Sequence, residues 1–325
     1  MQKSGFEPLI ASDGNALNLL RKEFPNLKSF KLPSYQIEYA RKGKFLKLEL
    51  LVRIPKIARA VREEKNYTRE IVENENIEGI ISDNRLGVLS NKIPCVYISH
   101  QLNVLSGITT WITSKSHQKF IQKFNECWVP DFRNEPNLSG KLGHLNTEKF
   151  KIKYIGILSR FKPIKLAIKY DLLVVLSGPE PQRTLIEQRL LKELAYFKGE
   201  ILFVRGLVST DEYMGTTPEN MRLVNYMLSN ELEQAFNESS LVITRSGYST
   251  IMDLAALGKK AFLIPTPGQT EQEYLAKKFQ LSSVAPQISQ HKFTLDNLND
   301  LEYYTGFEFL ENEVDPDLFE LFNRK

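Results

Sequence analysis

Apolar residues along this chain come in short runs of four to six, each closed by Gly, Pro, Asn, Asp or Ser and separated from the next by a stretch of helical length with mixed polarity. Runs of this kind are the mark of parallel strands buried on both faces, with amphipathic helices as the connections. In the first half the pattern predicts strands over 7–11, 77–82, 95–99 and 126–129, and helices over 16–24, 44–75 and 106–124, with Pro55 expected to kink or divide the second helix. In the second half it predicts strands over 151–155, 171–176, 201–204, 221–226, 241–244 and 261–265, alternating with helices over 180–196, 230–237, 249–257 and 271–279. A polar, glycine-containing stretch at 131–147 separates the halves and reads as a linker. No internal repeat is present.

At 325 residues the chain suits two such domains rather than one. The fold class is α/β, with two doubly wound Rossmann-like domains, 1–147 and 148–325. No window approaches the ~20 apolar residues a membrane span requires, and residues 1–10 hold no apolar run of the signal-peptide kind, so a cytoplasmic location is expected. The net charge of +4 is too small for a dedicated nucleic-acid binder, which leaves nucleic acid out as a partner. Two cysteines, Cys95 and Cys127, form neither a disulfide framework nor a zinc site and read as small buried hydrophobes. Basic residues crowd 41–65 beside Phe45, Leu46, Leu50 and Ile54. The plain reading is a solvated face; the functional one is peripheral contact with the inner face of an anionic membrane.

Chemistry gathers in the second half. Residues 241–253 form an apolar strand, a small-residue turn and a helix that opens with hydroxyl side chains. A helix start of this kind offers unpaired amides and about half a positive charge to a ligand in the strand-to-helix crevice, and a diphosphate fits. Gly247 permits close approach, while Ser246, Ser249 and Thr250 can cap the helix or bond phosphate. Asp253, about a turn further on, suits ribose hydroxyls. Residues 257–272 add a helix-ending glycine, a buried strand and a Pro/Gly-bounded loop with Gln269, Glu271 and Gln272, whose amide and acid groups suit a sugar.

This stretch resembles the C-terminal domain of glycosyltransferase family 28. The shared pattern is strand, Arg-Ser-Gly, x-x-Thr, an acidic residue, Ala-Ala-x-Gly, a strand ending in Pro and a Gln-bearing loop, matched over about 35 residues. The best-known members move N-acetylglucosamine to a lipid-linked muramyl peptide. The resemblance implies a GT-B fold, two Rossmann-like domains facing across a cleft, with Ser246 and Gly247 toward the diphosphate, Asp253 toward the ribose and Gln272 toward the sugar. Asp253 stands where the peptidoglycan enzymes have glutamate, and Ala276 where they have asparagine. It further implies nucleotide contacts from Arg160 in Gly156-x-x-x-Arg160, from Ser177, Gly178 and Arg183 in the loop and helix start at 177–183, and from Ser229 near the uracil edge. On the acceptor side, His100, Asn103 and Gly107 match a loop lining the cleft, and Asp83 with Arg85 follows another strand at the same sheet edge. The family's first strand, glycine-rich loop and first helix are not found ahead of residue 7, so the N-terminal domain is expected to be incomplete and without the base that loop would hold.

The implied reaction is inverting transfer from a nucleotide sugar, UDP-N-acetylglucosamine or another UDP-hexose, to a glycan or lipid-linked acceptor. The helix amides at Ser246 to Tyr248, with Arg160 or Arg183, stabilise the leaving diphosphate. No Asp-x-Asp pair marks a metal site, and no cofactor is expected. His100 and Asp83 remain as candidate bases. The rivals are an epimerase or hydrolase acting on a nucleotide sugar, and an inactive nucleotide-sugar-binding subunit.

Overall fold

A computed structural model describes residues 1–34, 46–105, 110–146, 149–209, 213, 215–311 and 315–323, and within these leaves aside the side chains of 3, 46–58, 111, 112 and 316. Of the basic segment 41–65, residues 41–45 and the side chains of 46–58 therefore lie outside what is described, as does Gly107. The chain divides into two compact units: Met1–Ile98 with Phe120–Cys127 and Phe319–Lys325, and Ser99–Lys119 with Trp128–Leu318.

The first unit holds β1 (Ile10–Ser12), α1 (Gly14–Glu23), β2 (Ser29–Lys31), α2 (Leu46–Asn74), β3 (Ile80–Asp83) and β4 (Cys95–Ile98). β1 pairs with β2, and β3 with β4, both in parallel. Helix α2 runs through Pro55 as one element, so the expected division does not occur. Arg85, expected at a ligand cleft, is instead an internal staple. Its guanidinium donates to Glu64 at 2.6 Å, to Asp13 at 2.5 Å and to the Pro33 carbonyl at 2.7 Å. Glu64 is fully buried and its second oxygen accepts the Gly87 amide. A buried carboxylate needs such a partner, which explains where the arginine goes.

After α3 (Thr110–Ile121), β5 (Glu126–Val129) and β6 (Ile152–Tyr154), the second unit builds a five-stranded sheet. Its members are β7 (Tyr170–Val175), β8 (Ile201–Val204), β9 (Met221–Val224), β10 (Ser239–Thr244) and β11 (Lys260–Leu263), with α4 (Gln182–Leu194), α5 (Ser229–Asn237), α6 (Tyr248–Leu257) and α7 (Thr270–Leu281). All its pairings are parallel, in the order β11-β10-β7-β8-β9. Neighbouring residues of a strand point to opposite faces. Leu173, Val242, Ala261 and Leu263 thus join α5, α6 and α7 in one core, while Leu172, Val174, Ile243 and Phe262 join α4 in another. Burial on both faces is why these strands read as unbroken apolar runs.

The order has a functional consequence. From β7 the chain winds outward to β8 and β9, then returns to β10 on the other side of β7. Loops leaving β7 and β10 diverge there and open a crevice at the carboxyl ends of those strands, the place where open α/β sheets take ligands. The two ends are level: Thr244 pairs with Val175, and its hydroxyl donates to the Val175 carbonyl at 3.0 Å.

The stretch 131–147 is expected as a linker, and its described residues, 131–146, are packed into the second unit. The Asp131 carboxylate, fully buried, accepts the amides of Phe132, Leu138 and Ser139 and the Ser139 hydroxyl. A single buried acid satisfied by main-chain donors folds a polar sequence into a fixed loop, which composition does not reveal. Cys95 and Cys127 are buried free thiols, and burial pushes Cys127 up to about 12. No helix among the described residues is long and apolar enough to cross a membrane.

Candidate functional site

Helix α6 begins where β10 ends, at the crevice. Gly247 is its N-cap in an extended conformation, with no side chain capping the helix. The first amide with an internal acceptor is Ile251, which donates to the Gly247 carbonyl at 3.0 Å. The amides of Tyr248, Ser249 and Thr250 have no acceptor among the described residues. No atom lies within 4 Å of where a Gly247 Cβ would stand, so the space in front of them is open. Free amides, a dipole worth about half a charge and an open approach are the features by which a helix start accepts an anion.

The flanking side chains sort into two groups. Ser249 is exposed and Thr250 half-buried, and both remain available to a ligand. Ser246, expected to face the diphosphate, is fully buried and its hydroxyl donates to the Gln272 carbonyl at 2.8 Å. Gln272, expected to face the sugar, is also buried, and its side-chain oxygen accepts the Thr266 amide at 2.8 Å. These two residues tie the α6 turn to the loop after β11; they shape the site from behind. Gln269, the N-cap of α7, is half-buried, with its amide on the Thr266 carbonyl.

Tyr248 packs inward, 3% exposed, with its hydroxyl donating to the Pro130 carbonyl at 2.8 Å. Burial, reinforced by Asp131, holds its ionisation far above the ordinary range, so the phenol stays protonated. Its ring stacks on His100, with centroids 4.1 Å apart and planes 7° from parallel. The His100 Nε2 in turn meets Glu271 Oε1 at 2.9 Å. An imidazole, a carboxylate and the first residue of α6 are thus held together at the turn. Asp83, the other expected base, is an exposed residue at the end of β3 in the first unit.

One turn along α6, Asp253 accepts the Ser159 hydroxyl at 2.6 Å. Burial raises its carboxyl from 3.8 to about 6, although Ser159 and the charge of Arg160 pull the other way. Arg160 is exposed, its guanidinium 5.1 Å from the Phe161 ring, and is free to turn toward a ligand.

On the other side of the crevice, Ser177 and Gly178 are exposed in the loop after β7, with Gly178 at φ +110°, a value that favours glycine. A Cβ there would stand 3.8 Å from the Thr266 hydroxyl, a buried group with no partner among the described residues. Arg183, expected at the diphosphate, is 5% exposed and committed to Glu180 at 2.5 Å and to Glu187, which also accepts from Arg205. It is part of the scaffold. Ser229 is the first residue of α5 and is half-buried.

Residues 174–301 match the family described as Glycosyltransferase family 28 C-terminal domain. The chain is similar, at 24% identity over 208 residues, to the UDP-N-acetylglucosamine--N-acetylmuramyl-(pentapeptide) pyrophosphoryl-undecaprenol N-acetylglucosamine transferase of Haemophilus ducreyi, over 62% of this chain and 55% of that protein. It therefore spans little more than half the length of that relative. At 22% identity over 296 residues it is similar to an uncharacterized glycosyltransferase of Methanopyrus kandleri, over 86% of this chain and 82% of the other. Among solved structures, the glycotransferase of kitacinnamycin superposes with a TM-score of 0.61 at 12% identity, over 99% of this chain and 87% of that one. Spinosyn rhamnosyltransferase SpnG complexed with thymidine diphosphate gives 0.59 at 15% identity, over 94% and 86%. The shared fold is GT-B.

Proposed function

We propose that the chain is a glycosyltransferase of family 28, the family whose C-terminal domain matches residues 174–301, and that it moves a sugar from a UDP-sugar, UDP-N-acetylglucosamine first among those to test, to a hydroxyl of a glycan or lipid-linked acceptor. The observation that supports this most is the open start of α6 at the crevice between β7 and β10, with free amides and nothing in front of Gly247. The acceptor oxygen attacks the anomeric carbon from the face opposite the nucleotide. As the carbon–oxygen bond to UDP breaks, the configuration inverts and the electron pair stays with the diphosphate. The amides of Tyr248, Ser249 and Thr250, with Arg160, receive that charge, and each well-aimed donor is worth ~3 kcal/mol.

Charge stabilisation by fixed amides and an arginine needs no divalent ion, so EDTA should leave turnover unchanged. His100, oriented by Glu271, is the base we assign to the acceptor proton, a role worth about 10²- to 10⁴-fold. Asp253 takes the ribose hydroxyls. The Haemophilus relative is named for a pyrophosphoryl-undecaprenol acceptor, which favours a lipid-linked acceptor here, with the enzyme working from the cytoplasmic side of the membrane.

The test is a thermal-shift series with uridine, UDP, thymidine diphosphate and UDP-N-acetylglucosamine. A ligand at 100 times its Kd stabilises by about 2.7 kcal/mol, and the UDP compounds should give the largest shift. A flat response to every nucleotide removes the donor site. Rapid UDP release from the donor without any acceptor would replace transfer by hydrolysis.

A further inference from the structure

Arg245 is the residue between β10 and the α6 turn, 1% exposed and sealed beneath the crevice. Its Nη1 donates to the carbonyls of Ile264 at 3.1 Å and Pro265 at 3.3 Å. Its Nη2 donates to the Gln182 carbonyl at 2.9 Å and to Gln290 Oε1 at 2.8 Å, and its Nε has no partner among the described residues. Every acceptor is neutral. Arg85, Arg183 and Arg205, by contrast, each meet a glutamate. Burial draws the Arg245 group down to about 10, which still leaves it charged at neutral pH.

A buried cation without a counter-charge is costly, and an apolar residue of similar volume is commonly no worse for stability. The acceptors show what this one organises. Gln182 opens α4, Ile264 and Pro265 follow β11, and Gln290 starts a short 3-10 turn that also bonds Gln182. Arg245 thus joins the helix after β7, the turn into α6 and the loop after β11, all of which border the crevice.

We propose that Arg245 is a buried positioning residue whose uncompensated charge completes an anion site: it fixes the three crevice segments and draws a nucleoside diphosphate onto the free amides of α6. This rests on the donor-site reading and adds to it a residue behind the amides. The Thr266 hydroxyl, buried and unpartnered beside Gly178, is a second donor left unused at the same edge.

The test compares UDP, inorganic pyrophosphate and uridine by isothermal titration on the whole chain, for the wild type, Arg245→Met and Gln290→Glu. The second variant leaves the arginine in place and sets a carboxylate on its Nη2, so it answers the question even where Arg245→Met fails to fold. For unit charges ~10 Å apart at an effective dielectric of about 20, cancelling one weakens binding roughly fifteen-fold. UDP and pyrophosphate should lose at least that factor in both variants, uridine should be unchanged, and the ligand-free melting temperature of Gln290→Glu should equal or exceed that of the wild type. Unchanged UDP affinity in Gln290→Glu overturns the proposal, as does an equal loss for uridine, which would mark a purely structural role. Absence of UDP and pyrophosphate binding in the wild type overturns the donor-site reading itself.

Discussion

Asp253 offers a direct measure of what the site costs the fold. Its carboxyl is lifted by burial from 3.8 to about 6. Below pH 3.8 the group is protonated in the folded and unfolded chains alike and contributes nothing to their difference. As pH rises through that value the unfolded chain ionises first, and the folded chain bears a growing penalty until it too ionises, near pH 6. A lift of about two units at 1.36 kcal/mol each amounts to about 3 kcal/mol, present in full above pH 7. Asp253→Asn keeps the oxygen that accepts from Ser159 and removes the charge. It should therefore stabilise the ligand-free protein by up to ~3 kcal/mol at pH 8, and by little at pH 4. Urea unfolding of both proteins across that range checks the slope. UDP affinity should move the other way, since the carboxylate is the stronger acceptor for ribose hydroxyls. An advantage for Asn that does not grow with pH would refute burial as the cause. A variant both more stable and equally good at binding UDP would remove Asp253 from the donor site.

Gly247 has φ −71° and ψ 142°, a conformation open to any residue, and nothing near its missing Cβ. Gly247→Val should change stability by no more than ~0.5 kcal/mol while blocking the approach to the amides and lowering UDP affinity at least about ten-fold; calorimetry with a melting curve reads both. Arg183→Ala leaves the buried Glu187 with Arg205 as its remaining cationic partner and should cost ~1–3 kcal/mol of stability, seen as an earlier urea midpoint. His100→Ala should lower kcat by about 10²- to 10⁴-fold with little change in donor KM. Glu271→Gln keeps a polar partner for Nε2 and should give a smaller fall in kcat, with donor Kd unchanged by titration.

Legibility followed the physics of each feature. Strands 126–129 and 201–204 have the observed bounds, because burial on two faces makes 127–129 and 201–204 unbroken apolar runs. β2 escaped notice: three residues, Ser-Phe-Lys, are too few to show a period. The turn at 245–250 was recognisable as an anion-binding start, yet which polar side chains face outward was not. Ser246 and Gln272 bond each other's segments across 26 residues, and a local pattern cannot choose between ligand and neighbour. Arg183 did have a signal, since Glu187 stands four residues after it on the same face of α4 and Glu180 three residues before it, just ahead of the helix. The His100–Glu271 contact spans 171 residues and Thr266 sits between two prolines, so neither leaves a trace in periodicity.

The second unit keeps two ionised groups where neutral ones would suit the folded chain better. Arg245 lies behind the start of α6 with four neutral acceptors, and Asp253 lies a turn further along the same helix with one hydroxyl. Neither is bonded to the other: each holds its own neutral partners, and Asp253 also feels the charge of Arg160. Selection for stability alone would replace both. A ligand with negative charge at one end and hydroxyl donors at the other relieves both at once, provided its anionic end meets the amides and its hydroxyls meet Asp253. A nucleoside diphosphate has that polarity within a single molecule, whereas inorganic phosphate answers only the first charge and a free nucleoside only the second. Affinity for the intact nucleotide should therefore exceed what its two halves suggest separately. The direction from Arg245, behind the start of α6, to Asp253 on that helix sets the direction in which the nucleotide lies.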